Sequence, residues 1–156
     1  MKDLYGDVAV TRLDGHVVQC EIKRPPNNFF DHQLIKDLAT CFEDIDKQND
    51  IRAIVLCSEG KHFCAGANFG SSVRAAELEQ RTESDRNPLY DEAVRLFRCN
   101  KPVIAAVQGA AVGGGFGLAL MADFRVVCPA TRMTANFVKL GFTPGFGLTH
   151  TLERIV

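Results

Sequence analysis

A short apolar run, Val103-Ile104-Ala105-Ala106-Val107, leads through Gln108-Gly109-Ala110-Ala111-Val112 into three consecutive glycines, Gly113-Gly114-Gly115. Apolar residues then resume at helical length to Met121. The run predicts a strand of the buried kind, and the glycines predict a tight turn that opens a helix. The first turn of a helix leaves N–H groups unpaired and carries partial positive charge. Such a place stabilises an anion or a developing oxyanion. Close helix–strand packing would call for the same small residues, so the spacing alone leaves both readings open. A dinucleotide-binding turn is the poorer rival, because no strand ending in an acidic residue follows at the required distance.

The rest of the chain predicts an α/β organisation. Residues 8–13 read as a strand, Asp14-Gly15 as a hairpin turn, and 16–22 as the returning strand, ended by Arg24-Pro25-Pro26. Leu34, Ile35, Leu38, Phe42 and Ile45 recur at helical spacing, which predicts a helix over 31–47 with Asp31 at its cap. Residues 53–57 are wholly apolar and predict a second buried strand. Residues 71–87 are polar, a solvated helix or loop. A helical pattern restarts over 89–97, a strand is expected at 124–127, and a further helix from 146 to 156. The succession suggests strand–helix turns stacked around one core more than a doubly wound sheet.

Composition bounds the partners. Eighteen Lys and Arg balance nineteen Asp and Glu, so no general attraction to nucleic acid or an anionic membrane is expected. The six cysteines form no C-x-x-C pair and sit mostly in apolar runs, which favours free thiols in a reducing cytoplasm over a disulfide framework. No metal site is expected. The stretch 103–121 is cut by Gln108 and five glycines and reads as strand, turn and helix, not as a membrane span.

A second loop has the same character as the glycine turn. Lys61-His62-Phe63-Cys64-Ala65-Gly66-Ala67-Asn68 follows the strand at 53–57 directly, and its small residues leave backbone amides accessible. Two such loops, brought together, could direct two N–H groups at one carbonyl oxygen.

These segments carry a resemblance. His62 to Asn68, then Asn100-Lys101-Pro102-Val103-Ile104-Ala105-Ala106-Val107-Gln108-Gly109, then the three glycines, Ala122-Asp123-Phe124-Arg125 and Leu140-Gly141-Phe142-Thr143-Pro144-Gly145-Phe146-Gly147 occur in the order of the crotonase (enoyl-CoA hydratase/isomerase) superfamily. The chain resembles the N-terminal part of that family over essentially all its length. The resemblance implies a crotonase-like spiral of repeated strand–strand–helix turns over 1–156, as one domain whose C-terminal helical part is missing. It also implies an acyl-CoA substrate, coenzyme A entering with the substrate rather than as a resident cofactor, and a homotrimer or hexamer when full length. By position, the two amides that hold the thioester oxygen fall on Ala65 and Gly114. Cys64, Ala65, Ala67 and Asn68 fall along the CoA, and Lys23 and Arg24 near its phosphates, where a solvated strand end is the competing reading.

The pattern also departs from the family. The resemblance puts one hydratase glutamate a helical turn after the oxyanion glycine, where this chain has Gly117, and its partner where it has Phe137. Neither replacement transfers protons, and general acid–base catalysis supplies roughly a hundred- to ten-thousand-fold per group. Ordinary hydratase activity is therefore expected to be low. The segment 134–145 resembles decarboxylating homologues of polyketide β-branching, although those carry a lysine where this chain has Phe69. A thioester decarboxylase and a non-catalytic CoA-thioester binder are the alternatives. Among other polar groups, His62, Asp91, Glu92, Lys139 and His150 fit surface or packing roles, whereas Asn68 and Asn136 can donate hydrogen bonds but cannot act as bases.

Overall fold

The structure is a computed structural model that describes residues 1–68 and 87–156. Most of the polar stretch 71–87, and Phe69, lie outside the described residues. Strands β1 (Leu4–Tyr5), β2 (Val8–Arg12) and β3 (Val17–Ile22) form an antiparallel meander. The turn between β2 and β3 falls one residue later than expected, with Gly15 and His16 both left-handed. β1 is an addition, too short to leave a periodic signal.

Helix α1 (His32–Asp46) matches its pattern closely. Leu34, Ile35, Leu38, Phe42 and Ile45 all point inward and are buried. Asp31 Oδ1 accepts the Leu34 N–H at 2.9 Å, which satisfies one of the orphan donors of the first turn. Strand β4 (Ala53–Ser58) pairs in parallel with β3, and β5 (Val103–Val107) in parallel with β4. Both were expected to be buried throughout. Instead they alternate, with one face in the core and the other half-buried.

Helix α2 (Pro88–Phe97) starts at a proline, whose missing N–H costs nothing there, with Asn87 as its cap. After β5 come the short β6 (Ala110–Val112), helix α3 (Gly114–Met121), β7 (Phe124–Val127) and β8 (Arg132–Thr134). β7 closes the main sheet, in the order β1-β2-β3-β4-β5-β7, while β6 and β8 pair in parallel as a separate ribbon. The 3₁₀ turn Val138–Leu140 and helix α4 (Leu148–Thr151) follow. The helix expected from 146 begins only at Leu148, because Phe146 and Gly147 both have left-handed backbones, which no right-handed helix accommodates. One core joins α1 to the sheet, with Phe42, Phe63, Leu56, Leu96 and Leu118 among its fully buried members.

Candidate active site

Parallel pairing of β4 with β5 decides where the two small-residue loops go. Both leave the same carboxyl edge of adjacent strands, the usual place for a ligand in an open parallel sheet. The backbone then knits them together. Phe63 N–H donates to Gln108 O at 2.8 Å, Cys64 N–H to Ala110 O at 3.0 Å, and Val112 N–H to Cys64 O at 3.0 Å. The ladder carries the first loop alongside β6 up to the threshold of α3.

Side chains hold the first loop in place. The Asn28 amide, fully buried, donates to Glu59 O and His62 O at 2.8 and 2.6 Å, while its Oδ1 accepts the Arg24 N–H. His62 Nδ1 accepts the Ala110 N–H at 3.1 Å, so this histidine ties the two loops together. Gln108 Nε2 reaches back to Ser58 O at 2.7 Å.

The amides of this loop have different fates. Ala65 N–H donates to Asn27 O at 2.9 Å. Burial pushes the Cys64 thiol up to about 11, against the opposing pull of the Gly66 and Phe30 amides. Ala67 N–H has no hydrogen-bond partner among the described residues. The Ala65 amide, expected as the first donor, is thus already hydrogen-bonded within the fold.

The second loop ends at Gly113, whose N–H donates to Thr134 O at 2.8 Å and whose φ of 54° turns the chain into α3. No side chain caps this helix. Its first ladder bond runs from Gly117 N–H to Gly113 O at 3.0 Å, which leaves the amides of Gly114, Gly115 and Phe116 ahead of the ladder. Close packing explains the small residues. A Cβ on Gly114 would sit 1.9 Å from the Phe30 ring, and one on Gly115 would sit 2.2 Å from Cys64 O. The packing reading and the amide reading of the glycines therefore both hold.

The two positions where the family places glutamates are apolar. Gly117 lies against Phe146, and a Cβ there would be 2.9 Å from the Phe146 Cβ and 3.1 Å from its carbonyl oxygen. Phe137 is half-buried against a small cluster with Phe116, Leu120 and Leu148. Its ring and Asn136 Oδ1 flank Gly113: a Cβ there would be 3.7 and 3.3 Å away, respectively. Asn136 is thus brought to the mouth of α3.

The two basic candidates differ. Arg24 Nε bonds to Asp7 Oδ2 at 2.5 Å and its guanidinium to Asp31 Oδ2 at 2.8 Å. Burial disfavours this cation, but the two carboxylates outweigh that and hold its pKa above the ordinary value. Arg24 is a clamp between the meander and the α1 cap, its charge already matched. Lys23 keeps only a loose pair with Glu21 at 3.4 Å and is half exposed. Asn68 is exposed beyond Ala67. His150 and Tyr90 line an apolar groove of about 640 Å³ between α2 and the segment 143–151. Among the described residues no cluster suits a metal ion, and no helix is long and apolar enough to cross a membrane. Sequence reasoning missed Phe30, Asn27 and Phe146, none of which carries a local signal.

Comparison with known proteins identifies the family. The sequence profile of the family Enoyl-CoA hydratase/isomerase matches residues 12–156. A Mycobacterium tuberculosis protein named "Probable enoyl-CoA hydratase EchA14" is 37% identical over 151 residues, covering 96% of this chain and 58% of the relative. The Bacillus subtilis protein named bacillaene synthase decarboxylase PksI is 33% identical over 148 residues, covering 94% of this chain and 57% of that protein. The solved structure of an enoyl-CoA hydratase from Polaromonas sp. JS666 superposes with a TM-score of 0.81 at 26% identity, over 97% of this chain and 59% of the other. The chain thus spans a little under three-fifths of the length of these relatives. The matched family profile, the sequence identity and the shared fold agree, and the chain belongs to the enoyl-CoA hydratase/isomerase family of the crotonase superfamily.

Proposed function

We propose that this chain forms the oxyanion half of an enzyme acting on acyl-CoA thioesters, with Ala67 and Gly114 as the two N–H donors. The observation that carries the reading is the Cys64–Val112 ladder, which ties the first loop, whose Ala67 amide has no partner among the described residues, to the strand leading into the uncapped N-terminus of α3. Two donors on a thioester oxygen stabilise the enolate that forms when a proton or carbon dioxide leaves the α-carbon and the bonding electron pair stays behind. Residues 64–68 run along the CoA, and Lys23 is the better placed cation for its phosphates, because Arg24 is already paired. Coenzyme A enters as part of the substrate. The exposed apolar side chains Phe124, Val126 and Val127 on β7 are suited to burial against further protein in a trimeric assembly.

Gly117 and Phe137 supply neither a base for water nor an acid for the α-carbon, so hydration of an enoyl thioester is slow in this reading. Decarboxylation is the second reading, because loss of carbon dioxide generates the enolate without a base. Phe137 and the likeness to the B. subtilis decarboxylase favour it. The full-length protein is to be assayed with crotonyl-CoA and with a malonyl-type thioester. Turnover of the malonyl substrate with little on crotonyl-CoA supports decarboxylation, and brisk hydration of crotonyl-CoA refutes the account of positions 117 and 137. Tight CoA-thioester binding with no turnover of any substrate leaves a binding protein.

A further inference from the structure

We propose that Phe146 sets the acyl length this protein accepts, by standing as a wall between the oxyanion site and the apolar groove beside α2. The inference rests on the thioester reading above. Phe146 is buried, at 3% exposure, although its backbone is left-handed with φ of 55°, a conformation that bulky residues rarely adopt. A residue persists in such a state where its surroundings over-determine it, and such sites cluster at ligand clamps. Here the surroundings are aromatic. The ring meets Phe30 edge-on at 5.9 Å and Phe97 at a tilt at 6.0 Å. Phe30 in turn covers Gly114, the helix-side donor, whereas Phe97 lines the groove.

Three rings therefore run in series from the donor to the groove, and Phe146 is the middle one. It also presses on Gly117, so it fills the space into which any side chain at 117 would grow. On the far side lie Tyr90, Val94, Phe97, Pro144 and His150, around about 640 Å³ of mostly apolar space. An acyl chain attached to a thioester held at Gly114 meets the Phe146 ring before it reaches that space. With Phe146 in place, only a short acyl group fits beside the oxyanion site. Without it, the groove becomes the continuation of the acyl channel.

The test uses saturated straight-chain acyl-CoAs from acetyl to decanoyl, which bind without reacting. Dissociation constants are measured by calorimetry on the full-length protein, its Phe146→Gly variant and its Phe146→Leu variant. Glycine accepts the left-handed backbone without strain, and leucine keeps an apolar contact with Phe30, so the two variants perturb the fold in different ways. For the parent protein the affinity should stop rising beyond about four carbons. In Phe146→Gly it should rise roughly fourfold per added methylene over the next several, as expected for burial of each CH₂. Phe146→Leu should fall between the two. The same chain-length profile in all three proteins, flat or rising, overturns the role of Phe146 while leaving the thioester reading intact. Failure of every acyl-CoA to bind any of the three overturns both.

Discussion

Ala65 donates its amide to the carbonyl of Asn27 at 2.9 Å, whereas the Ala67 amide has no hydrogen-bond partner among the described residues. The segment carrying Asn27 comes from far earlier in the chain, and it holds the Ala65 amide within the fold, which is why the proposed donor is Ala67.

Replacing each alanine by proline separates the two roles, because proline deletes the N–H. Ala67→Pro should keep the fold and lower turnover of any accepted thioester by on the order of 10²–10³-fold, the usual consequence of losing one oxyanion donor. Ala65→Pro should instead lower stability, by about 0.5–1.5 kcal/mol for the loss of a part-buried backbone hydrogen bond. Urea unfolding and steady-state kinetics on both variants check this.

Gly117 and Phe146 should behave as a coupled pair. Gly117→Glu alone overpacks the contact at 2.9 Å and should destabilise the protein by about 1–3 kcal/mol. Adding Phe146→Gly should recover most of that loss, giving a non-additive double-mutant cycle. Hydratase activity should then rise only when Phe137→Glu is added as well. A rise in the Gly117→Glu single variant would contradict the steric argument.

How far the sequence revealed these features depended on whether each one was local. Helix α1 was legible almost to the residue, because five buried side chains share one face and Asp31 caps it through its own side chain. The two amide-bearing loops were legible from their small residues. The choice between Ala65 and Ala67 was not, since it turns on Asn27, which no spacing rule connects to that loop. β6 and β8 are three residues each and too short to show a period. Phe146 looked like the start of a helix; only the coordinates reveal its left-handed backbone and its place between Phe30 and Phe97.

Acid should loosen the junction between α1 and α2. Arg95 hydrogen-bonds Glu43 at 2.6 Å and also pairs with Glu92, and the bond from Arg95 holds the Glu43 carboxyl below its ordinary pKa. A depressed folded-state pKa contributes stability that is complete above the ordinary carboxylate range and is lost as the pH falls through the depressed value. Asp44, lowered by Lys47 and Tyr5, acts in the same sense. The melting temperature should therefore fall as the pH drops from 5 to 3. Glu43→Gln should lower it at pH 7 and flatten that dependence.

The cysteines should react in a fixed order. Cys128 is exposed, and its hydrogen bond with Thr131 lowers its pKa. Burial raises Cys57, Cys64 and Cys99 to about 11. Cys20 and Cys41 face each other in the core at 3.7 Å, and their contact raises the Cys20 thiol. Because the thiolate is the reactive form, iodoacetamide should label Cys128 of the native protein first by mass spectrometry, with Cys20, Cys41 and Cys64 protected until unfolding.

The carbonyl stretch of a bound, ¹³C-labelled acyl-CoA thioester, read by isotope-edited infrared spectroscopy, tests the oxyanion assignment most directly. Two hydrogen bonds from Ala67 and Gly114 predict a clear shift to lower wavenumber on binding, largely lost in Ala67→Pro while the CoA remains bound. An unshifted band in the parent protein, or an equal shift in Ala67→Pro, would contradict it.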